Sequence, residues 1–371
     1  MSMLPLPSGL PDVLPPFAAQ EFRAIYHMLK TFTSFGYQPV IPPLMECESS
    51  LLSDQGAATA RQVFRLMDPL SREMLALRAD MTTQITRIAE STLSTAPRPL
   101  RLSYAGYTLR AAPEALRTRR QHTQIGIELF GASSTAYDAE VVAVPVEALS
   151  ALALTDLSLD ISFPTLLDAL LADTKEPERT HIKEAVARKD TSALRTMNAT
   201  LIADIADASG PSVSALKTLS VIAKQSAPLA DALQSVETMM ASLTARGVTI
   251  PTTIDMLELR GFSYYNGIAF SLFLRNPAIE IGRGGHYRCT NNEEAVGFTF
   301  YIDDILSALG DPEPRKQLGV SGHTPMQTVR EWQEQGYETV LLYSDAPEQE
   351  ARTQACTHLL VNGNIKALTS K

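Results

Sequence analysis

Residues 101–131, RLSYAGYTLRAAPEALRTRRQHTQIGIELFG, decide how this chain folds. Both ends alternate apolar and polar side chains, the period of a strand whose successive residues face opposite ways. Residues 111–121 between them are polar and include a proline, so the stretch reads as two strands joined by a long loop. Functional groups concentrate on loops held by a rigid scaffold, and this one is suited to closing over a ligand. In the second strand Glu128 sits between Ile127 and Leu129 and shares a face with neither.

Working outward, Pro15-Pro16 precede a helical pattern in which Phe17, Phe22, Ile25, Met28, Leu29 and Phe32 recur mostly at three- and four-residue steps. Gly36 is placed to cap that helix. The following YQPVIPPLME reads as a strand that its prolines keep from a central, fully paired position. VFRLMD and EMLALRAD read as a strand pair, and Thr82 to Thr92 as a helix. Beyond the opening stretch come a helix from Ala136 to Leu152 and the strand LSLDISF. From about Pro164 to Arg246 the chain turns rich in Ala, Leu, Asp, Ser and Thr, as expected of an inserted block of short helices. TIDMLELR, IAFSLFLR and IEIGRGG then look like consecutive antiparallel strands, and Glu294 to Leu309 like a strand running into a helix. After Asp311, helix, strand, helix and HLLVNG suggest a small α/β module. The expected architecture is α+β: a core over residues 1–310 carrying the insertion at about 164–246, and a short module over 311–371.

Composition narrows the function classes. With 371 residues and 45% hydrophobic content the chain has room for a large core. Its mean hydropathy of −0.02 is that of an ordinary globular protein. No apolar run approaches the roughly 18–20 residues that span a bilayer, and the first residues lack the basic start and apolar stretch of a signal peptide. Cys47, Cys289 and Cys356 lie far apart, without disulfide or zinc spacing, and the six histidines are scattered, so a cytoplasmic protein without a metal is expected. A net charge of −9 argues against a nucleic-acid partner, whose phosphates demand a positive face. The densest basic cluster, Arg117, Arg119 and Arg120, reads as a solvated loop. GRGG at 282–285 is no dinucleotide fingerprint, because it opens no helix.

Several segments, in order, resemble histidyl-tRNA synthetase, a class II synthetase. PSGLPDVLPP and FTSFGYQPVIPPLME are similar to that family's opening and its dimer-forming first motif. LALRADMTTQITR resembles the segment that contacts the amino group of the bound amino acid, and RLSYAGYTLR with HTQIGIELFG resembles the second motif. LELRGFSYYNGIAF resembles the histidine-specific block, IGRGGHYR the glycine-rich strand, and AVGFTFYIDDILSAL occupies the place of the third motif. The likeness runs from about residue 5 to 310 and implies a class II synthetase-like antiparallel sheet flanked by helices.

It also implies a histidine site. A buried carboxylate needs a cationic fork, a role that falls to Arg260, with Gln124 bridging carboxylate and amine. Asp80 and Thr82 are the acceptors for the ammonium, and Glu128 for one imidazole nitrogen. Tyr265 meets the other nitrogen and covers the ring, Tyr264 is a neighbouring wall, and Arg110 is placed near the carboxylate or the loop. Each residue taken singly has an ordinary reading: a solvated strand carboxylate, a surface arginine, tyrosines in a core. Only their joint spacing makes a ligand site.

The departures matter equally. Where a synthetase places a glycine and then an arginine against the ATP phosphates, this chain has Tyr301, Ile302, Asp303 and Asp304. Two unit charges ~4 Å apart interact by about 4 kcal/mol at an effective dielectric of about 20, so a reversed sign turns that attraction into repulsion. The tail is shorter than the family's anticodon-binding domain. A pocket kept beside a spoiled nucleotide site is similar to the synthetase-paralogue family of ATP phosphoribosyltransferase regulatory subunits. That likeness implies a non-catalytic protein whose expected partners are the short-form catalytic subunit, L-histidine as feedback effector, and a second copy forming a homodimer within a hetero-oligomer. An active synthetase or amino-acid-activating ligase is the alternative, and a scaffold with a vestigial pocket a third reading.

Overall fold

The computed structural model describes residues 6–52, 62–113, 118–258, 264–276, 278–312 and 314–368. Two compact units divide at Gly310 and Asp311.

The first unit is built on a nine-stranded sheet in the order Gln38–Pro39, Leu100–Leu109, Gln121–Phe130, Glu294–Tyr301, Ala278–Arg288, Ala269–Arg275, Leu157–Ser162, Thr252–Ile254 and Gly210–Pro211. The five strands at its centre pair antiparallel. The expected strand pair of the opening stretch forms in full, with Leu102 opposite Glu128 and Gly106 opposite Gln124. On the other side Gly297 lies opposite Glu128 and Tyr301 opposite Gln124. Because side chains alternate, one face of this sheet carries Ile125, Ile127, Leu129, Phe298 and Phe300, and the other carries Gln124 and Glu128.

The apolar face packs on two helices, Phe17–Ser34 and Thr135–Ser150, in one continuous core. The first helix buries Gln20, Ala24, Met28 and Phe32, a four-residue spacing that keeps one stripe inward. It stops where Gly36 takes φ +85°, and the Tyr37 N–H then bonds back to the Phe32 carbonyl at 3.1 Å. Tyr37 is fully buried and donates its hydroxyl to Glu140, which also holds Arg101 through two nitrogens at 2.6 and 2.9 Å.

Two expected strands are shortened. YQPVIPPLME supplies Gln38–Pro39 on the sheet edge and Met45–Cys47 in a separate three-stranded sheet with Arg65–Met67 and Met74–Leu77. The prolines between remove ladder donors. Among the described residues of TIDMLELR the strand covers just the start, as part of Thr252–Ile254, and it runs parallel to Leu157–Ser162 rather than antiparallel. Asp255 ends it by accepting the Leu257 N–H at 3.1 Å, an Asx-type turn.

The insertion is helical, from Leu166–Leu170 through Ala227–Ala245, and the 19-residue last helix exceeds the short elements expected. The second unit has a four-stranded sheet ordered Glu338–Leu342, Gln317–Ser321, His358–Val361 and Asn364–Ala367, with helices Met326–Glu334 and Pro347–Thr353. Its first three strands are parallel. The Gln317–Ser321 and Asn364–Ala367 strands were not legible in the pattern.

Candidate functional site

Glu128 anchors the polar face. Its side chain is 1% exposed, and its carboxylate accepts the Tyr287 hydroxyl at 2.9 Å and the Tyr104 hydroxyl at 3.4 Å. Thr82 supplies a third hydrogen bond. Burial pushes its carboxyl up to about 8 against the opposing pull of the Tyr287 and Thr82 hydroxyls, and the nearby Asp80 charge adds to the rise. Glu128 thus rests as a neutral acid at pH 7, close to its titration point. A cationic or strongly donating ligand draws it into the carboxylate form.

The room for this carboxylate comes from the neighbouring strand. A Cβ added at Gly297 would lie 1.8 Å from Glu128 Oε2, so the position opposite has to be glycine. Tyr104 is fitted the same way over Gly126, and its hydroxyl meets Thr299 Oγ1 at 2.7 Å.

Four residues along the strand, Gln124 is wholly buried and fully used. Its Oε1 accepts the Met81 N–H at 2.9 Å, and its Nε2 donates to Asp80 Oδ2 at 2.9 Å and to the Tyr301 hydroxyl at 3.3 Å. Asp80 Oδ1 also takes the Thr82 N–H at 2.8 Å, at the start of the helix Thr82–Glu90. The turn carrying Asp80 and Thr82 is therefore pinned to the sheet by Gln124. Despite its short side chain, Asp80 reaches the site.

Arg110 follows the strand Leu100–Leu109 and donates to the Tyr301 hydroxyl at 3.2 Å. Tyr301 thus sits between Arg110 and Gln124, filling the corner beside them. Immediately after it the helix Ile302–Leu309 begins with Asp303 and Asp304 in its first turn, where acids are favoured by the helix dipole. Asp303 holds Arg119 at 2.7 Å and His122 at 2.9 Å. Arg120 is equally occupied, bonding the Arg110 and Ser8 carbonyls and lying 4.8 Å from the Phe64 ring centroid. The two described arginines of the basic cluster are thus both engaged; Arg117 lies outside the described residues.

The tyrosine pair divides. Tyr265 is 5% exposed, with its ring over Gly285, whereas Tyr264 is 54% exposed and reaches back to the Tyr265 hydroxyl at 2.7 Å. Asp80, Thr82, Gln124 and Glu128 are joined in one hydrogen-bonded set, with Arg110 attached through Tyr301. Arg260 lies outside the described residues. His286, uncertain from sequence, points to the opposite face, where its two ring nitrogens meet Asp138 at 3.1 Å and Glu294 at 3.0 Å. Arg288 joins the same Glu294.

Sequence reasoning missed Tyr104, Tyr287 and Thr299. The signal was present in the alternation: Tyr104 is two strand steps from Leu102, which faces Glu128, and Tyr287 is two steps from Gly285. Alternation alone does not say which tyrosine hydroxyl finds a carboxylate.

Comparison with known proteins shows what the chain as a whole is similar to. A family model described as histidyl-tRNA synthetase matches residues 9–305. A protein of Rhodospirillum centenum described as ATP phosphoribosyltransferase regulatory subunit is 38% identical, the match covering 100% of this chain and 98% of its own length. One of Paramagnetospirillum magneticum with the same description is 39% identical over 96% of this chain and 95% of its own. Among solved structures, an ATP phosphoribosyltransferase regulatory subunit/histidyl-tRNA synthetase from Bacillus halodurans superposes with a TM-score of 0.82 at 22% identity, covering 97% of this chain and 98% of that one. The histidyl-tRNA synthetase of Nostoc gives 0.78 at 18% identity, covering 98% and 94%.

Proposed function

The chain belongs to the family of ATP phosphoribosyltransferase regulatory subunits, built on the histidyl-tRNA synthetase fold, and from that premise we propose that it is a non-catalytic L-histidine sensor for a short-form catalytic subunit. The observation that carries this reading is the buried Glu128 with its hydroxyl ring, set four residues from the Gln124–Asp80 pair. An imidazole bonded to Glu128 leaves its amino-acid end toward Gln124, Asp80 and Thr82, where an ammonium finds acceptors. Arg260, by resemblance, supplies the fork for the carboxylate. A site whose buried groups need polar partners rejects leucine or phenylalanine, which leave them unpaired.

The nucleotide side supports a sensor over a ligase. Tyr301 bonds Arg110, and the helix after it opens with Asp303, held by Arg119 and His122, and Asp304, where by resemblance a synthetase sets an arginine against the ATP phosphates. Feedback then consists of a coupling free energy between histidine and the catalytic partner, typically about 1–3 kcal/mol, which is reciprocal. A homodimer fits the exposure of Ile41 and Leu44 on the segment that resembles the dimer-forming motif, and of Phe22 and Tyr26 on the helix Phe17–Ser34 that leads into it. Free Cys47, Cys289 and Cys356 suit a reducing cytoplasm. Among the described residues no helix is long and apolar enough to cross a membrane.

Calorimetric titration and pyrophosphate exchange test this directly. The chain is expected to bind L-histidine, to ignore L-leucine and L-phenylalanine, and to give no histidine-dependent exchange between ATP and pyrophosphate. Exchange above background would establish the ligase alternative instead.

A further inference from the structure

The strand Ala278–Arg288 is irregular at one point. Leu272 pairs with Gly282 but the next residue, Phe273, pairs with Glu280, so Ile281 is the extra residue of a β-bulge. In a regular strand residues three apart face opposite ways. The bulge brings Glu280 and Arg283 to the same face, where Arg283 Nε meets Glu280 Oε1 at 2.6 Å. Bulges beside functional sites commonly serve to re-aim a side chain in this manner.

Arg283 shares its face with the pocket. It lies opposite Thr299, which holds the Tyr104 hydroxyl, and two residues before Gly285, on which the Tyr265 ring rests. Two further on, Tyr287 bonds Glu128. Its charge is felt by both Tyr265 and Tyr301. On the outer side Arg283 lines an open cleft of about 640 Å³ whose floor and walls include Asp160, Ser271, Glu280 and Lys189. The half-buried guanidinium therefore stands where this cleft meets the tyrosine wall.

We propose that Arg283, braced by Glu280 across the bulge, is a specificity-determining residue that reads the carboxylate of the amino-acid ligand. The assignment rests on the histidine-sensor reading. On that reading the imidazole end meets Glu128 and the carboxylate end turns toward Arg283, whose planar fork matches a carboxylate. Arg283 and Lys189 are the cations of this cleft, paired to Glu280 at 2.6 Å and Asp255 at 2.9 Å, and of the two Arg283 is the one on the strand that carries Gly285 and Tyr287.

Calorimetric titration of the full chain with L-histidine and with histamine, which lacks the carboxylate, separates this role from a structural one. Arg283→Met is expected to weaken L-histidine about tenfold or more, the usual scale of a lost charge-assisted bond, and histamine by less than about twofold. Arg283→Lys, which keeps the charge without the fork and preserves the fold if the methionine variant unfolds, is expected to show a smaller loss confined to L-histidine. Equal losses for both ligands, or none, overturn the assignment. A parent chain that binds neither ligand overturns the sensor reading, and this assignment with it.

Discussion

Glu128→Gln is expected to weaken L-histidine binding by about 100-fold while leaving the protein folded. The amide has the shape of the carboxyl and fits the space that Gly297 leaves, so packing is retained. What it cannot do is become an anion when an imidazole donates to it. A hydrogen bond to a charged group contributes about 1.5–3 kcal/mol, and the upper end corresponds to roughly 100-fold. Stability should move the other way. The carboxyl titrates at about 8 in the fold and at 4.5 in its ordinary state, so between those values the unfolded chain has lost a proton that the folded one keeps. Its contribution to stability is complete below 4.5, falls by about 1.4 kcal/mol per pH unit as pH rises toward 8, and is level above it. The glutamine variant lacks that decline and should melt at a higher temperature than the parent at pH 8. Calorimetry and thermal unfolding at pH 6 and pH 8 measure both. Unchanged affinity would remove Glu128 from the site.

The second large effect is a plateau in the pH dependence of L-histidine affinity. Free imidazole takes up a proton below roughly 6.5, and free Glu128 loses one above about 8. The bound pair holds one proton in either form, as neutral acid with imidazole or as carboxylate with imidazolium. Between the two values binding exchanges no proton and affinity is flat. Below roughly 6.5 the separated partners carry two protons and one must leave, so affinity falls tenfold per pH unit. Above about 8 they carry none and one must be taken up, so it falls again at the same rate. Titrations from pH 5 to pH 9 in buffers of differing ionisation enthalpy check both the shape and the proton count. An affinity that rises steadily through pH 9 would show that Glu128 does not share a proton with the ligand.

How much of this was readable in advance depends on where each signal lies. The strands flanking residues 111–121 were legible because alternation is a local property, and so was the face on which Glu128 stands. The partners of Glu128 were not, because Tyr104 and Tyr287 reach it through strand register rather than sequence spacing. The parallel pairing of Thr252–Ile254 was hidden for the same reason: pairing direction follows from where the chain returns after the insertion. His286 could not be placed because one strand step decides between the pocket and the Asp138 side, and the bulge at Ile281 shifts that count for the residues before it. Tyr301 stands out in the sequence only as a departure from the family's pattern; the place of its hydroxyl between Arg110 and Gln124 required the structure.

The most direct test of the account is the phosphoribosyltransferase rate of a short-form catalytic subunit, measured with and without this chain across an L-histidine titration. The account predicts a rate that depends on this chain, falls as L-histidine rises, and loses its histidine sensitivity in the Glu128→Gln variant. A rate indifferent to the chain, or inhibition by L-histidine that persists unchanged in Glu128→Gln, would contradict it.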